Sequence, residues 1–300
     1  MYRMVSKEFK DALIEVLFLL IFIGIDFLLV VLLAFFFGGG AEKKEFFDKI
    51  VFYLAVGTIG AVLIVAFKLS EPIIKSDRKL RNKVGWVNAV FHDPEDGIVD
   101  LSKHSFFNNP FKLYFGSLIF FSIFSFIMLV GFQTAFSDIP KFEIQQITKT
   151  AEIVLNVEPS ALAETLMVGW FIGLLIGFFK FLVWKKNLPE WSYFFFSIVI
   201  IGVMGVLWLS YHNARYGSDE VASLFTLFFG MGGALLTVLT GSLLPWLAWH
   251  QTNNLFVIMG LVLSKEINIV VTAVIIIFSV LVFGIIMVST LKSKGEVTAS

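Results

Sequence analysis

The sequence predicts an all-α, polytopic membrane protein of about eight transmembrane helices. Of its 300 residues, 58% are hydrophobic and only 15% are charged, whereas a soluble domain is about half apolar and about a quarter charged. Eight apolar stretches are long enough to cross a bilayer, which takes about 20 residues. They are continuously apolar and do not alternate, so helices are predicted and a β-barrel is not. The stretches are 12–37, 51–69, 113–132, 161–184, 191–211, 221–240, 243–263 and 267–291.

Lysine and arginine residues predict that both termini lie in the cytoplasm. Basic residues cluster in the N-terminal segment, at 68–83, at 180–186 and in the C-terminal tail. With eight spans, all four clusters fall on the same side. We therefore expect an integral protein of the cytoplasmic membrane, with the cluster at 68–83 binding anionic lipid. No feature predicts a nucleic-acid partner.

The spans and loops divide the chain into four parts. Residues 1–112 hold two transmembrane helices and the basic cytoplasmic loop, in which His92 lies too far from other ligand residues to predict a site. Residues 113–160 hold the third span and an outer amphipathic segment. Residues 161–291 form a core of five spans, and 292–300 form a cytoplasmic tail. The chain has no cysteine, which excludes disulfides, thiolate catalysis and cysteine-ligated metals.

Few ionisable groups lie inside the spans, and each is a functional candidate because such groups are costly in a membrane. The candidates singled out are Asp26, Glu164 and His250, together with His212 at the end of the fifth span. His250 and Asn254 are spaced i, i+4 in the stretch TGSLLPWLAWHQTNNLF, so they share one helix face. Two hydrogen-bond donors on one face can stabilise an oxyanion during acyl transfer.

The same residues provide the groups that an amide hydrolase needs when it has no serine or cysteine nucleophile. Glu164 can act as a general base that takes a proton from water, and His212 can help hold that water. Other interpretations stay open: His212 as a helix-end contact, Asn254 as an interhelical hydrogen bond, and Glu164 reaching the membrane boundary. Spacing alone favours an enzyme and a transporter equally. Gln251 points off the His250 face and is expected at the membrane interface.

Glycines predict close helix packing in two of the spans. Small residues let a neighbouring backbone approach closely. The predicted packing positions are Gly169, Gly173 and Gly177 in the fourth span, and Gly230, Gly232 and Gly233 in the sixth.

The C-terminal half resembles the CAAX protease and bacteriocin-processing family of intramembrane endopeptidases, also called CPBP or ABI. The family has a paired-glutamate motif (EExxxR), an FxxxH motif and an HxxxN motif. The corresponding segments are AETLMVGWFIG, WLSYH and HQTNN, and the Gly-rich helix followed by TGSLLP also matches. The resemblance covers about 160–265.

The first motif departs from the family pattern, and two registers are open. If Glu164 is the first glutamate, Thr165 replaces the second and Gly169 replaces the arginine. If Ala163 takes the first place, Glu164 is the second glutamate and Val168 replaces the arginine, which fits the flanking residues slightly better. The arginine is missing in both registers.

The resemblance implies that Glu164 and His212 activate water while His250 and Asn254 stabilise the oxyanion. Zinc bound by Glu164, His212 and His250 is the alternative, but the neutral donor Asn254 favours metal-free hydrolysis without a cofactor. The substrate implied is a peptide or lipidated protein cut near the membrane. The rival prediction is a proteolytically inactive scaffold, partner-binding or immunity protein.

The predicted topology leaves a discrepancy in depth. Glu164 and His212 lie near the outer boundary, but His250 lies only about 10 Å from the cytoplasmic start of its helix. Either the span boundaries are off by a turn or two, or the sixth and seventh spans form a shallow, tilted hairpin.

Overall fold

The computed structural model describes most of the core and part of the N-terminal region. The described residues are 13, 14, 16, 17, 19–21, 23–25, 28, 51–66, 92, 101, 103–135, 159–186, 188, 189, 191–216, 220–262 and 269–282. Four sequence predictions fall outside them: the role of Asp26, the basic cluster at 68–83, most of the amphipathic segment in 133–160, and the tail at 292–300.

The described chain is helical and contains no β-strand within these residues, which confirms the all-α class. Because the segments are continuously apolar, their backbones can satisfy their hydrogen bonds in lipid only as helices. The helices are α1 (Val51–Ala66), α2 (Pro110–Ala135), α3 (Pro159–Lys186), α4 (Ser192–Tyr216), α5 (Glu220–Thr240), α6 (Leu244–Val262) and α7 (Ile269–Val282).

Among the residues that the structure describes, four helices are long and apolar enough to cross a membrane. These segments are Pro110–Met128 in α2, Pro159–Phe179 in α3, Ser192–Asn213 in α4 and Ser223–Thr240 in α5. Their outward faces carry large apolar side chains such as Ile127 (60% exposed) and Phe194 (64% exposed). A surface of this kind requires an apolar surrounding. The protein is therefore suited to membrane integration.

The α3, α4 and α5 helices pack side by side and alternate in direction. Near one end of the α3–α4 pair, the Phe179 and Phe196 rings stack with centroids 4.4 Å apart. Near the other end, the Tyr211 hydroxyl reaches the Glu164 carboxylate. Because α3 and α4 contact each other near both ends, the distance between the two helices is well defined where Glu164 lies.

Helix α6 occupies the centre of the described bundle and contacts α2, α3 and α5. Every residue from 241 to 252 is buried, including the turn that joins α5 to α6. Leu243 in this turn packs against Gly169, ten residues after the start of α3. At 1.5 Å per residue, that contact lies about 15 Å along α3. The α5–α6 turn therefore packs against the length of α3 and not against either of its ends.

The α5–α6 turn satisfies its own polar groups, as a buried turn must. Gly241 has a φ of 63°, and Thr240 donates to the Leu236 carbonyl at 2.7 Å. The Ser242 hydroxyl accepts a hydrogen bond from the Leu244 amide at 3.3 Å, which caps the start of α6. The TGSLLP sequence thus ends one helix and begins the next within a few residues.

We expect Gly241→Ala to destabilise the protein by about 1–2 kcal/mol, because a side chain in left-handed backbone clashes with the following carbonyl. Gly241→Asn is expected to cost less, since asparagine tolerates this conformation. Thermal unfolding in detergent micelles measures both. Equal melting temperatures for the alanine variant and the wild type would contradict the expectation.

Three glycines of α5 lie where tryptophan side chains of α4 and α6 pack closely against the helix. A Cβ at Gly230 would overlap Trp208, one at Gly232 would overlap Trp249, and one at Gly233 would overlap Trp246. The predicted close packing is therefore confirmed at these glycines, and large indole rings supply most of the contact. This packing holds α4, α5 and α6 together around the candidate site.

Candidate functional site

The candidate site is centred on a buried carboxylate in α3. Glu164 is 3% exposed and lies in the second turn of the helix. Its Oε1 atom accepts a hydrogen bond from the Tyr211 hydroxyl of α4 at 3.0 Å. Its Oε2 atom lies 3.6 Å from Nε2 of His250 in α6. One carboxylate thus connects three helices, and it is buried among them.

The His250 imidazole is held between Glu164 and Thr165. Its Nδ1 atom lies 3.3 Å from the Thr165 hydroxyl oxygen, and the side chain is 3% exposed. Nε2 faces a carboxylate, which accepts hydrogen bonds when it is ionised, so Nε2 carries a proton in that state. The threonine hydroxyl can either donate or accept, so both the neutral and the protonated imidazole fit this position.

The His212 imidazole lies one aromatic ring away from His250. The Trp208 indole has its centroid 4.7 Å from His212 and 5.2 Å from His250, so it contacts both. Nδ1 of His212 lies 2.9 Å from the Trp208 carbonyl oxygen. A carbonyl only accepts, so Nδ1 holds the proton, and in the neutral ring Nε2 is the basic nitrogen. This orientation suits a residue that accepts a proton from water.

Asn254 follows His250 by one turn of α6 and is half-buried. Between these two residues, Gln251 is held by another helix, because the Tyr114 hydroxyl of α2 donates to Gln251 Oε1 at 2.6 Å. Gln251 is 2% exposed. The expectation that it lies at the membrane interface is wrong: its amide faces α2, where a hydrogen bond compensates its burial.

The structure distinguishes the faces of α3 that the two motif registers involve. A Cβ built at Gly57 of α1 would lie 3.3 Å from Ala163 Cβ, so Ala163 faces α1. Glu164 and Thr165 instead contact the groups on α4 and α6. An acid at position 163 would therefore point away from His250, and Glu164 is the acid directed at the imidazole in either register.

Two residues that contact the site or its supporting turn were missed from the sequence. Tyr211 directly precedes His212 in WLSYH and lies three residues after Trp208, so a helical wheel places it near the motif face. His92 lies far away in the sequence, yet it is 1% exposed and its Nδ1 is 3.2 Å from the Ser242 hydroxyl. The two backbones also pair in antiparallel fashion. No local pattern at His92 signals this contact.

Metal binding would need a tighter arrangement of ligands than the described residues provide. Among the residues with described positions, no group of three His, Asp or Glu side chains could hold a metal ion. A zinc ion at Glu164, His212 and His250 would therefore require these side chains to rearrange.

No family model matches this chain, and no curated protein or solved structure matches it either. The resemblance to the CPBP family therefore rests on the motif residues themselves. These comparisons identify no family and provide no functional assignment.

Proposed function

We propose that this protein is an intramembrane endopeptidase of the CPBP type that hydrolyses a membrane-proximal peptide bond with water activated by Glu164. The observation that carries the proposal is the buried Glu164–His250 pair. A carboxylate and an imidazole in an apolar bundle are costly unless they are paired, and together they provide a proton acceptor and a proton donor.

The reaction can be written with these groups alone. A water beside the pair gives its proton to Glu164 Oε2 while its oxygen bonds to the peptide carbonyl carbon, and the carbonyl electrons move to oxygen. His250 and Asn254 donate hydrogen bonds to this oxyanion. When the C–N bond breaks, the proton on Glu164 passes to the leaving nitrogen and the carboxylate is restored.

The positions of the polar atoms suit a water at this point. Glu164 Oε2 and His250 Nε2 are 3.6 Å apart, which is longer than an ordinary hydrogen bond of about 2.9 Å. A single water to one side of the pair can lie within hydrogen-bond distance of both atoms. His212, whose Nδ1 is engaged by the Trp208 carbonyl, would orient that water through Nε2.

The proposal includes the membrane topology. We propose eight spans in the cytoplasmic membrane, with both termini in the cytoplasm and the basic cluster at 68–83 on anionic lipid. In this topology the α5–α6 turn joins two spans from the cytoplasmic side. A peptide bond beside a lipidated or amphipathic segment is the proposed substrate, because the resemblance to the CPBP family implies cleavage near the membrane.

The test uses the full chain reconstituted in phosphatidylcholine–phosphatidylglycerol vesicles. One fluorogenic reporter carries a farnesylated cysteine near its C-terminus, and a second carries an unlipidated amphipathic helix. We expect cleavage of at least one reporter at a single bond identified by mass spectrometry, and no loss of rate with chelators. Loss of rate with a chelator and recovery with Zn²⁺ would support the zinc alternative. No cleavage of either reporter would contradict the proposal.

A second function is favoured by the way in which the buried Glu164–His250 pair links three helices. Glu164 contacts Tyr211 and His250, and His250 also contacts Thr165, so these side chains tie α3, α4 and α6 to one another. The same contacts would stabilise a proteolytically inactive scaffold, partner-binding or immunity protein. That function predicts no cleavage by the wild type, together with a lower melting temperature when Glu164 is replaced.

A further inference from the structure

The two oxygens of the Glu164 carboxylate are held in different ways. Oε1 accepts a hydrogen bond of 3.0 Å from the Tyr211 hydroxyl. Oε2 lies 3.6 Å from His250 Nε2, a separation too long to fix the plane of the group. The terminal torsion of a glutamate has a broad, roughly two-fold distribution. The hydrogen bond from Tyr211 therefore restricts this torsion.

The Tyr211 ring is partly buried at the end of α4 that meets α3. It lies edge-on to the neighbouring His212, with ring centroids 5.1 Å apart and an interplanar angle of 82°. The stacked Phe179 and Phe196 rings hold α4 against α3 at the far end of the pair. The hydrogen bond from the phenol is therefore a contact between two packed helices, and it restricts the orientation of the Glu164 carboxylate.

We propose that Tyr211 is a positioning residue for the hydrolytic reaction. Its phenol holds Oε1 so that Oε2 stays directed at the space beside His250, where it accepts the proton of the attacking water. Tyr211 acts through Glu164 and not on the substrate. This inference rests on the proposed endopeptidase function.

Tyr211→Phe tests the inference because it removes the hydroxyl and leaves the ring. With the reporter that the wild type cleaves, we expect kcat to fall on the order of 10- to 100-fold, the effect of a misdirected catalytic group. KM is expected to stay within about twofold, because the phenol does not contact the substrate. Placing 4-aminophenylalanine at position 211 keeps a donor at the same point and should restore most of kcat.

Tyr114→Phe is the matched control, because it removes another buried phenol hydrogen bond, the one to Gln251 at 2.6 Å. We expect it to lower the melting temperature by about as much as Tyr211→Phe and to leave kcat within about twofold. Equal kcat values for Tyr211→Phe and the wild type would overturn the inference. Equal losses of kcat in both phenylalanine variants would also overturn it, since they would indicate general loosening.

An infrared measurement separates this inference from the proposed function. The difference spectrum between the wild type and Glu164→Gln assigns the carboxylate band of Glu164. Loss of a hydrogen bond should shift that band in Tyr211→Phe and leave it unchanged in Tyr114→Phe. An inactive wild type with a shifted band would contradict the endopeptidase function while supporting the contact. An unshifted band would contradict the role of Tyr211 whether or not the protein cleaves.

Discussion

Glu164→Gln is expected to lower the rate of reporter cleavage at least 100-fold. The amide has nearly the shape of the carboxylate, but it cannot take a proton from water at neutral pH. Removal of a general base costs about 10²- to 10⁴-fold. The amide oxygen can still accept the Tyr211 hydrogen bond, which contacts Oε1 at 3.0 Å in the wild type. The variant should therefore fold, and the initial rate in vesicles measures the loss.

The control for this variant is its own stability, measured by thermal unfolding in the same detergent before reconstitution. A melting temperature near that of the wild type, with cleavage lost, assigns the effect to chemistry. His250→Ala provides a second comparison, because it removes the imidazole beside Oε2 while keeping the carboxylate. Cleavage by Glu164→Gln at the wild-type rate would rule out Glu164 as the base.

Gly233→Ala is expected to destabilise the protein by about 1–3 kcal/mol, the usual cost of forcing extra volume into a packed core. The new methyl would overlap the Trp246 indole, which is fully buried and also packs against Trp208 at 5.3 Å. The ring has no open space to move into, so α6 must shift. Because Trp246 precedes His250 by one turn, cleavage should fall as well, by on the order of 100-fold.

Gly202→Ala is the matched control, since Gly202 lies in α4 and a Cβ there would meet nothing within 4 Å. Alanine is a better helix former than glycine, so this variant should melt at the wild-type temperature or slightly above it. Thermal unfolding in detergent compares the two variants directly. The packing argument would be wrong if Gly202→Ala and Gly233→Ala had the same melting temperature.

The helices themselves could be predicted closely from the sequence. The segment predicted at 243–263 contains the helix Leu244–Val262, and the one predicted at 221–240 contains the helix Glu220–Thr240 to within one residue. Hydropathy and the Gly-Ser-Pro signals of the turn are local, so a local pattern suffices to find them. The i, i+4 relation of His250 and Asn254 follows from helix geometry alone.

The contacts between helices could not be predicted in the same way. A soluble helix has a polar face and an apolar face, and the division indicates which side is buried. The α3 helix is apolar nearly all round, so its sequence does not show that Ala163 faces α1 while Glu164 faces α6. In the same way, the burial of Gln251 against Tyr114 depends on how α6 is rotated about its own axis, which its sequence does not show.

The sequence by itself determined the helical membrane class, the approximate helix bounds and the residues from which a polar site could be built. Only the tertiary structure decided that Glu164 meets His250 and Tyr211, that the α5–α6 turn is buried against α3, and that His92 contacts Ser242. Each of these depends on the rotation and axial shift of one segment relative to another. In apolar helices those are set by side-chain packing across the interface, which is non-local.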